Sequence, residues 1–243
     1  MPIVAIGGGE IRAAQTLPID RHIVRLSGRE TPNVLFVSTA SRDLGGYITT
    51  FKKYYTQQLG CRVQPLILTR GQPKTTADVS ERVAWADIVY VGGGNTRFML
   101  ETWQAFGLPD ILRQALARGC VLSGLSAGAL CWFESGIGNS GIEDEYIELA
   151  ALGMLSGCFA PHYCKPGVEA RLAAAFSERM ASADPADASE LPSFYGVDDG
   201  AALVFASPDA PAACLRATPE TRAQRLTLQN GSIRAVDIPE LLP

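Results

Sequence analysis

Only two of the 243 residues are histidine, no two cysteines form a C-x-x-C pair, and lysine and arginine nowhere cluster. Each lack removes a class of chemistry. Six cysteines (61, 120, 131, 158, 164 and 214) scattered without metal-ligand spacing are expected to be reduced thiols that mostly fill the core, and no metal is expected. A net charge of −4 without a basic patch argues against nucleic acid and anionic membrane as partners. A small peptide or another small molecule is the expected partner, and a homodimer stays open beside a monomer. No apolar run approaches membrane-spanning length, and Met1-Pro2-Ile3-Val4 reads as strand rather than as a leader, so the expected location is the cytoplasm. Nucleotide fingerprints are missing too. The two Gly-Gly-Gly runs would need glycine at positions 12 and 97 to read G-x-G-x-x-G, and arginine stands at both. No Walker-type Gly-Lys-Ser/Thr occurs, and no cofactor is expected.

What is present is an α/β pattern. Strand-like runs at residues 3–6, 33–39, 63–68, 87–91 and 120–122 alternate with helix-length segments near 45–59, 76–85, 96–106, 109–118, 127–133 and 168–181. That alternation predicts right-handed βαβ units, hence a mostly parallel sheet flanked by helices. Past Tyr195 the texture changes to closely spaced strands at 201–205, 212–216, 225–228 and 232–236, with Asn230-Gly231 as a hairpin turn. This end reads as an antiparallel extension of one domain spanning 1–243. The Ala/Asp/Pro/Ser-rich stretch 181–192 reads as a mobile surface loop.

The richest signal is Gly124-Leu125-Ser126-Ala127-Gly128, a G-x-S-x-G pentapeptide between a strand and a helix. Small residues on both sides of Ser126 allow a tight, strained turn that lifts the hydroxyl above the sheet and frees the Ala127 amide for a developing oxyanion. The second glycine run, Gly92-Gly93-Gly94-Asn95-Thr96, presents bare N–H groups at a helix start, where Gly93 or Gly94 would be the second donor.

A serine nucleophile needs a base. His162, in Phe159-Ala160-Pro161-His162-Tyr163, closes an apolar run at what would be the sheet's carboxyl edge, whereas His22 lies in an early helix between Arg21 and Ile23. The orienting acid is less constrained: Asp198 and Asp199 lie between two late strands, and Glu134 and the 143–145 carboxylates follow the nucleophile helix. Asp199 is the choice, giving the order Ser, His, acid, which differs from the Ser, acid, His order of α/β-hydrolases and argues for another fold.

Val91-Gly-Gly-Gly-Asn-Thr96, Gly124-Leu-Ser-Ala-Gly-Ala129 and Pro161-His162-Tyr163 together resemble the peptidase E group of the S51 serine peptidases, which includes cyanophycinases. The resemblance covers roughly residues 1–205. It implies a class I glutamine-amidotransferase-like fold with serine in place of the cysteine nucleophile, and hydrolysis of dipeptides or short peptides with amino-terminal aspartate without a metal. It also implies Ser126 as nucleophile, His162 as base, Gly93 or Gly94 with Ala127 as oxyanion donors, Asp199 as the late acid, and Asn95 and Arg171 near the substrate.

Two departures accompany it. Asn139 stands where some relatives carry an aspartate considered for the acid role, which favours the 198/199 pair. The Arg-x-x-Arg-Ile/Leu pattern after the histidine, whose first arginine can pair with the substrate's aspartate, reads Val168-Glu169-Ala170-Arg171-Leu172. Preference for aspartate is then lost or supplied by Arg42, Arg97 or Arg171. Glu10 and the 143–145 carboxylates are candidates for the substrate's ammonium group. A cyanophycinase-like peptidase and a non-catalytic binding protein on the same scaffold are the competing readings.

Overall fold

Strands β1 (Ile3–Ile6), β2 (Asn33–Val37), β4 (Ile88–Val91) and β5 (Val121–Leu125) are almost wholly buried, while β3 (Arg62–Leu66) alternates buried and exposed positions. Strands apolar on both faces belong inside a parallel sheet covered on both sides; the alternating one lies at its edge. The computed structural model describes residues 1–71, 74–139, 145–182, 193–229 and 232–241, and in it these five strands are the parallel part of a seven-stranded sheet. Its order is β11-β10-β1-β5-β4-β2-β3, with β10 (Ala201–Phe205) and β11 (Ala213–Arg216) antiparallel. Period-2 alternation splits the sheet's side chains between two cores. Val4 and Ile6 pack with α1 (Leu17–Leu26) and α2 (Gly45–Leu59), while Ile3 and Ala5 face α3 (Thr76–Trp85), α4 (Thr96–Ala105) and α5 (Leu108–Ala117).

A second, six-stranded sheet runs β13-β12-β9-β8-β6-β7. Its strands are β6 (Phe133–Asn139), β7 (Tyr146–Ala150), β8 (Leu155–Pro161), β9 (Phe194–Val197), β12 (Ala223–Gln229) and β13 (Ser232–Asp237). Phe133, Phe159 and Tyr195 bring one face of this sheet into the core that holds α3 to α5, and α7 (Val168–Ser182) covers the other face.

Two expected boundaries are corrected. The helix expected over 127–133 is only α6 (Ala127–Leu130): Trp132 is wholly buried, and Phe133 already opens β6, stacking on Phe159 with ring centroids 4.8 Å apart. The carboxyl-terminal strands pair antiparallel as expected and are shared between the sheets, β10 and β11 completing the first and β12 and β13 joining β9 in the second. The stretch 181–192 begins as the last turn of α7; residues 183–192 and the Asn230-Gly231 turn lie outside the described residues. Among the described residues, no helix is long and apolar enough to cross a membrane.

Candidate active site

Three loops meet at the carboxyl ends of the strands. The first follows β5. Ser126 adopts φ 58 and ψ −116, an arrangement that costs a non-glycine residue roughly 1–3 kcal/mol and persists only where neighbours over-determine it. The flanking glycines show how. A β-carbon on Gly124 would land on the Gly128 carbonyl, and one on Gly128 would land on the Val91 carbonyl. Helix α6 therefore sits hard against β5 and β4, and the Ser126 amide is tied to the Ile6 carbonyl at 2.9 Å.

The second loop follows β8. His162 is also left-handed, at φ 55, with its amide donating to the Gly7 carbonyl at 3.1 Å. The third joins β9 to β10, where Asp199 pairs with Gly8 in an isolated parallel bridge and the Gly200 amide donates to the Gly8 carbonyl at 2.9 Å.

These backbones bring three side chains into one hydrogen-bonded line. Ser126 Oγ lies 2.8 Å from His162 Nε2, and His162 Nδ1 lies 2.5 Å from Asp199 Oδ1. The bond from His162 holds the Asp199 carboxyl below its usual range, against the opposing effect of partial burial. An ionised Asp199 accepts from Nδ1–H, which leaves the Nε2 lone pair facing the serine hydroxyl. Such a line can carry a proton from the hydroxyl to the ring while the carboxylate stabilises the imidazolium.

The other carboxylates are engaged elsewhere. Asp198 points away from the imidazole toward Arg222, and Glu134 accepts from the Gly157 amide at 2.8 Å. Glu143 and Asp144 lie outside the described residues. His22 sits in α1, 3.5 Å from the Arg25 guanidinium, with burial and that cation lowering its pKa.

Beside Ser126 opens a cavity of about 790 Å³, whose wall includes Gly93, Gly94, Tyr47, Glu10 and Arg12. Gly93 faces Ser126: a β-carbon built on it would stand 3.3 Å from Ser126 Cβ. Its amide donates to Tyr47 Oη at 3.4 Å, a long bond that an incoming oxygen can replace. Burial raises the Tyr47 hydroxyl to about 12, so it stays protonated and can itself donate. Glu10 was a candidate from the sequence, whereas Tyr47 and Arg12 escaped sequence reading. Their signal was faint: Glu10 and Arg12 flank the first residue of a 3-10 turn (Ile11–Ala13) that Glu10 caps, and Tyr47 looks like one more apolar residue of α2.

Gly94 lines the cavity at φ +142, and a β-carbon there would land on the Ala40 carbonyl. Asn95 caps α4, accepting from the Phe98 amide at 2.8 Å. Neither Asn95 nor Arg171 is among the residues lining the cavity, and Arg171 is paired with Glu178 at 3.2 Å. Arg42 stacks over Phe98, 3.8 Å from the ring centroid, and Arg97 is exposed at the start of α4. Val168, at the first-arginine position, opens α7 and is buried. Arg12 is the one Lys or Arg among the described residues that line the cavity.

Residues 3–211 match the sequence model of Peptidase family S51. A Bacillus subtilis (strain 168) protein named uncharacterized peptidase YgaJ is 40% identical over 204 residues, covering 84% of this chain and 82% of its own. Among solved structures, a peptidase from an acI-B1 Actinobacterium superposes with a TM-score of 0.63 at 18% identity, over 98% of this chain and 95% of that one. A Listeria monocytogenes EGD-e protein provisionally assigned as a peptidase E gives 0.62 at 17% identity, over 88% and 98%. At such identities the two structures speak for the fold alone.

Proposed function

The chain belongs to peptidase family S51, and from that premise we propose that it is a serine peptidase hydrolysing dipeptides or short peptides through an acyl-enzyme on Ser126. The observation that carries the reading is the line Ser126 Oγ, His162 Nε2 and Nδ1, Asp199 Oδ1, with separations of 2.8 and 2.5 Å. His162 takes the hydroxyl proton as Ser126 Oγ attacks the scissile carbonyl carbon. The oxyanion turns toward the amides of Gly93 and Ala127, each such donor being worth about 2.7–4 kcal/mol of barrier. Collapse breaks the C–N bond, the imidazolium returns its proton to the departing amine, and a water activated by the same ring then cleaves the ester.

The cavity supports a short, doubly charged substrate. Glu10 is placed to take a free ammonium group and Arg12 a carboxylate, whether a side chain or a terminus. Preference for amino-terminal aspartate falls to Arg12 rather than to Val168 or Arg171.

A panel of dipeptides assayed for released amine, with fluorophosphonate labelling of the hydroxyl, tests the reading. Ser126→Ala should lose hydrolysis and labelling with the fold intact, and Arg12→Ala should raise KM for acidic dipeptides more than for neutral ones. Hydrolysis by Ser126→Ala near the wild-type rate would remove the nucleophile from the scheme.

A further inference from the structure

The family match ends at residue 211, yet a side chain beyond it reaches behind both loops that carry His162 and Asp199. Arg222, just before β12, is bound to the residue preceding Asp199: its amide and its Nε donate to Asp198 Oδ2 at 2.8 and 3.2 Å, and its carbonyl accepts from the Asp198 amide at 2.9 Å. The same guanidinium lies over the ring of the residue following His162, 4.8 Å from the centroid of Tyr163, and Nη1 reaches Glu169 on α7 at 3.5 Å. Tyr163 is tied to the acid loop as well, donating its amide to the Val197 carbonyl at 3.1 Å, with its ring filling the space a side chain at Gly196 would need. Asp198 is nearly buried, and its Oδ1 meets no donor among the described residues. Arg222 is thus the cation that compensates a carboxylate adjacent in sequence to the proposed triad acid.

Resting on the triad reading above, we propose that Arg222 is a positioning residue, clamping Tyr163 and Asp198 so that the imidazole and the Asp199 carboxylate keep their alignment. The planar guanidinium suits the task, because one face lies over an aromatic ring while its edge bonds a carboxylate. The charged groups around the imidazole are Asp199, bonded to it, Lys165 beyond the turn, Glu10 and Arg12 across the cavity, and the Asp198, Arg222 and Glu169 group behind. Removing the guanidinium leaves Asp198 as an uncompensated negative charge there, which favours the imidazolium.

Arg222→Ala should lower kcat by roughly tenfold or more with KM within about twofold, since alignment rather than binding is lost. A readout independent of activity is the NMR titration of the two histidines. In Arg222→Ala the His162 midpoint should move up by roughly half a pH unit or more, with His22 unmoved as internal reference. Adding Asp198→Asn should return it, and Arg222→Lys, which keeps the charge and is the safer variant for folding, should lie between. A His162 titration in folded Arg222→Ala or Arg222→Lys that superimposes on wild type overturns the proposal, even in a protein that cleaves no peptide. Absence of hydrolysis and labelling in the wild type overturns the peptidase reading instead.

Discussion

The same tripeptide, Gly-Gly-Gly, follows β1 and β4, and the two copies are bare for different reasons. In the first, a β-carbon on Gly7 would strike the carbonyls of Val197 and Asp198, and one on Gly8 would strike the Asp199 carboxylate and the His162 ring. In the second, a β-carbon on Gly92 would strike the Tyr47 ring and one on Gly94 the Ala40 carbonyl, while one on Gly93 would stand 3.3 Å from Ser126 Cβ at the cavity wall. One loop is a backbone scaffold on which the histidine and acid loops are hung; the other is a wall of the space where substrate would lie. Glycine permits close approach in both, but in the first the catalytic-line side chains His162 and Asp199 crowd against it, whereas in the second Gly93 meets Ser126 with the cavity beside it.

The largest test of that contrast is Gly8→Ala. The backbone at Gly7 and Gly8 cannot retreat, because Gly7 donates to the Ala201 carbonyl at 2.9 Å while both carbonyls hold the neighbouring loops. The methyl must therefore displace the His162 and Asp199 side chains, and kcat should fall on the order of 10⁴-fold, as when the acid of a triad is spoiled. Steady-state kinetics beside a circular dichroism spectrum separate this from unfolding. A folded Gly8→Ala protein keeping about a tenth or more of the wild-type kcat would mean that the first loop does not set the alignment.

Gly93→Ala should cost less. The new methyl would stand 3.3 Å from Ser126 Cβ and 3.4 Å from the Leu125 carbonyl, crowded but without a backbone collision. The fold should persist and kcat should drop roughly tenfold to a hundredfold, the scale of a small misplacement of the reacting carbonyl. If Gly93→Ala proves as damaging as Gly8→Ala, the two triplets share one role and the contrast fails.

How much of this could be read beforehand follows from the same local physics. The G-x-S-x-G pentapeptide is legible because two tight contacts, Gly124 on Gly128 and Gly128 on Val91, demand glycine at fixed spacing. The parallel strands are legible because burial on both faces makes them unbroken apolar runs. In the second sheet β12 and β13 were legible but β6 was not: it reads Phe-Glu-Ser-Gly-Ile-Gly-Asn, poor in β-formers, and is a strand because β8 and β7 pair with it on either side. The choice between Asp198 and Asp199 was equally closed to inspection. Neighbours in one turn, they face opposite ways, and the difference is visible only through distant partners, His162 for one and Arg222 for the other.

The smallest expected effect on catalysis comes from the floor of the first loop. Gly9 rests against the Thr16 methyl, and Thr16 donates to Asp20, a wholly buried carboxyl that also accepts from Tyr54 at 2.9 Å and Tyr55 at 2.7 Å. Burial raises its pKa to about 6, the three hydroxyl donors pulling only part of the way back. Because the folded protein holds this proton more tightly than the unfolded chain does, its contribution to stability is complete below about pH 4 and is lost as pH rises through 6. A two-unit shift is worth about 3 kcal/mol. Asp199 works with the opposite sign and at lower pH, its contribution being lost as pH falls through its depressed value. Urea unfolding between pH 4 and 7 should therefore show a downward slope with rising pH in the wild-type protein that is flattened in Asp20→Asn. At pH 7, kcat of the same variant should stay within about twofold of wild type, since Asp20 reaches the scaffold loop through Thr16 rather than by direct contact. An unchanged slope would place the proton elsewhere; a large loss of kcat would show that the floor of the first loop, and not only Gly7 and Gly8, holds the histidine and acid in line.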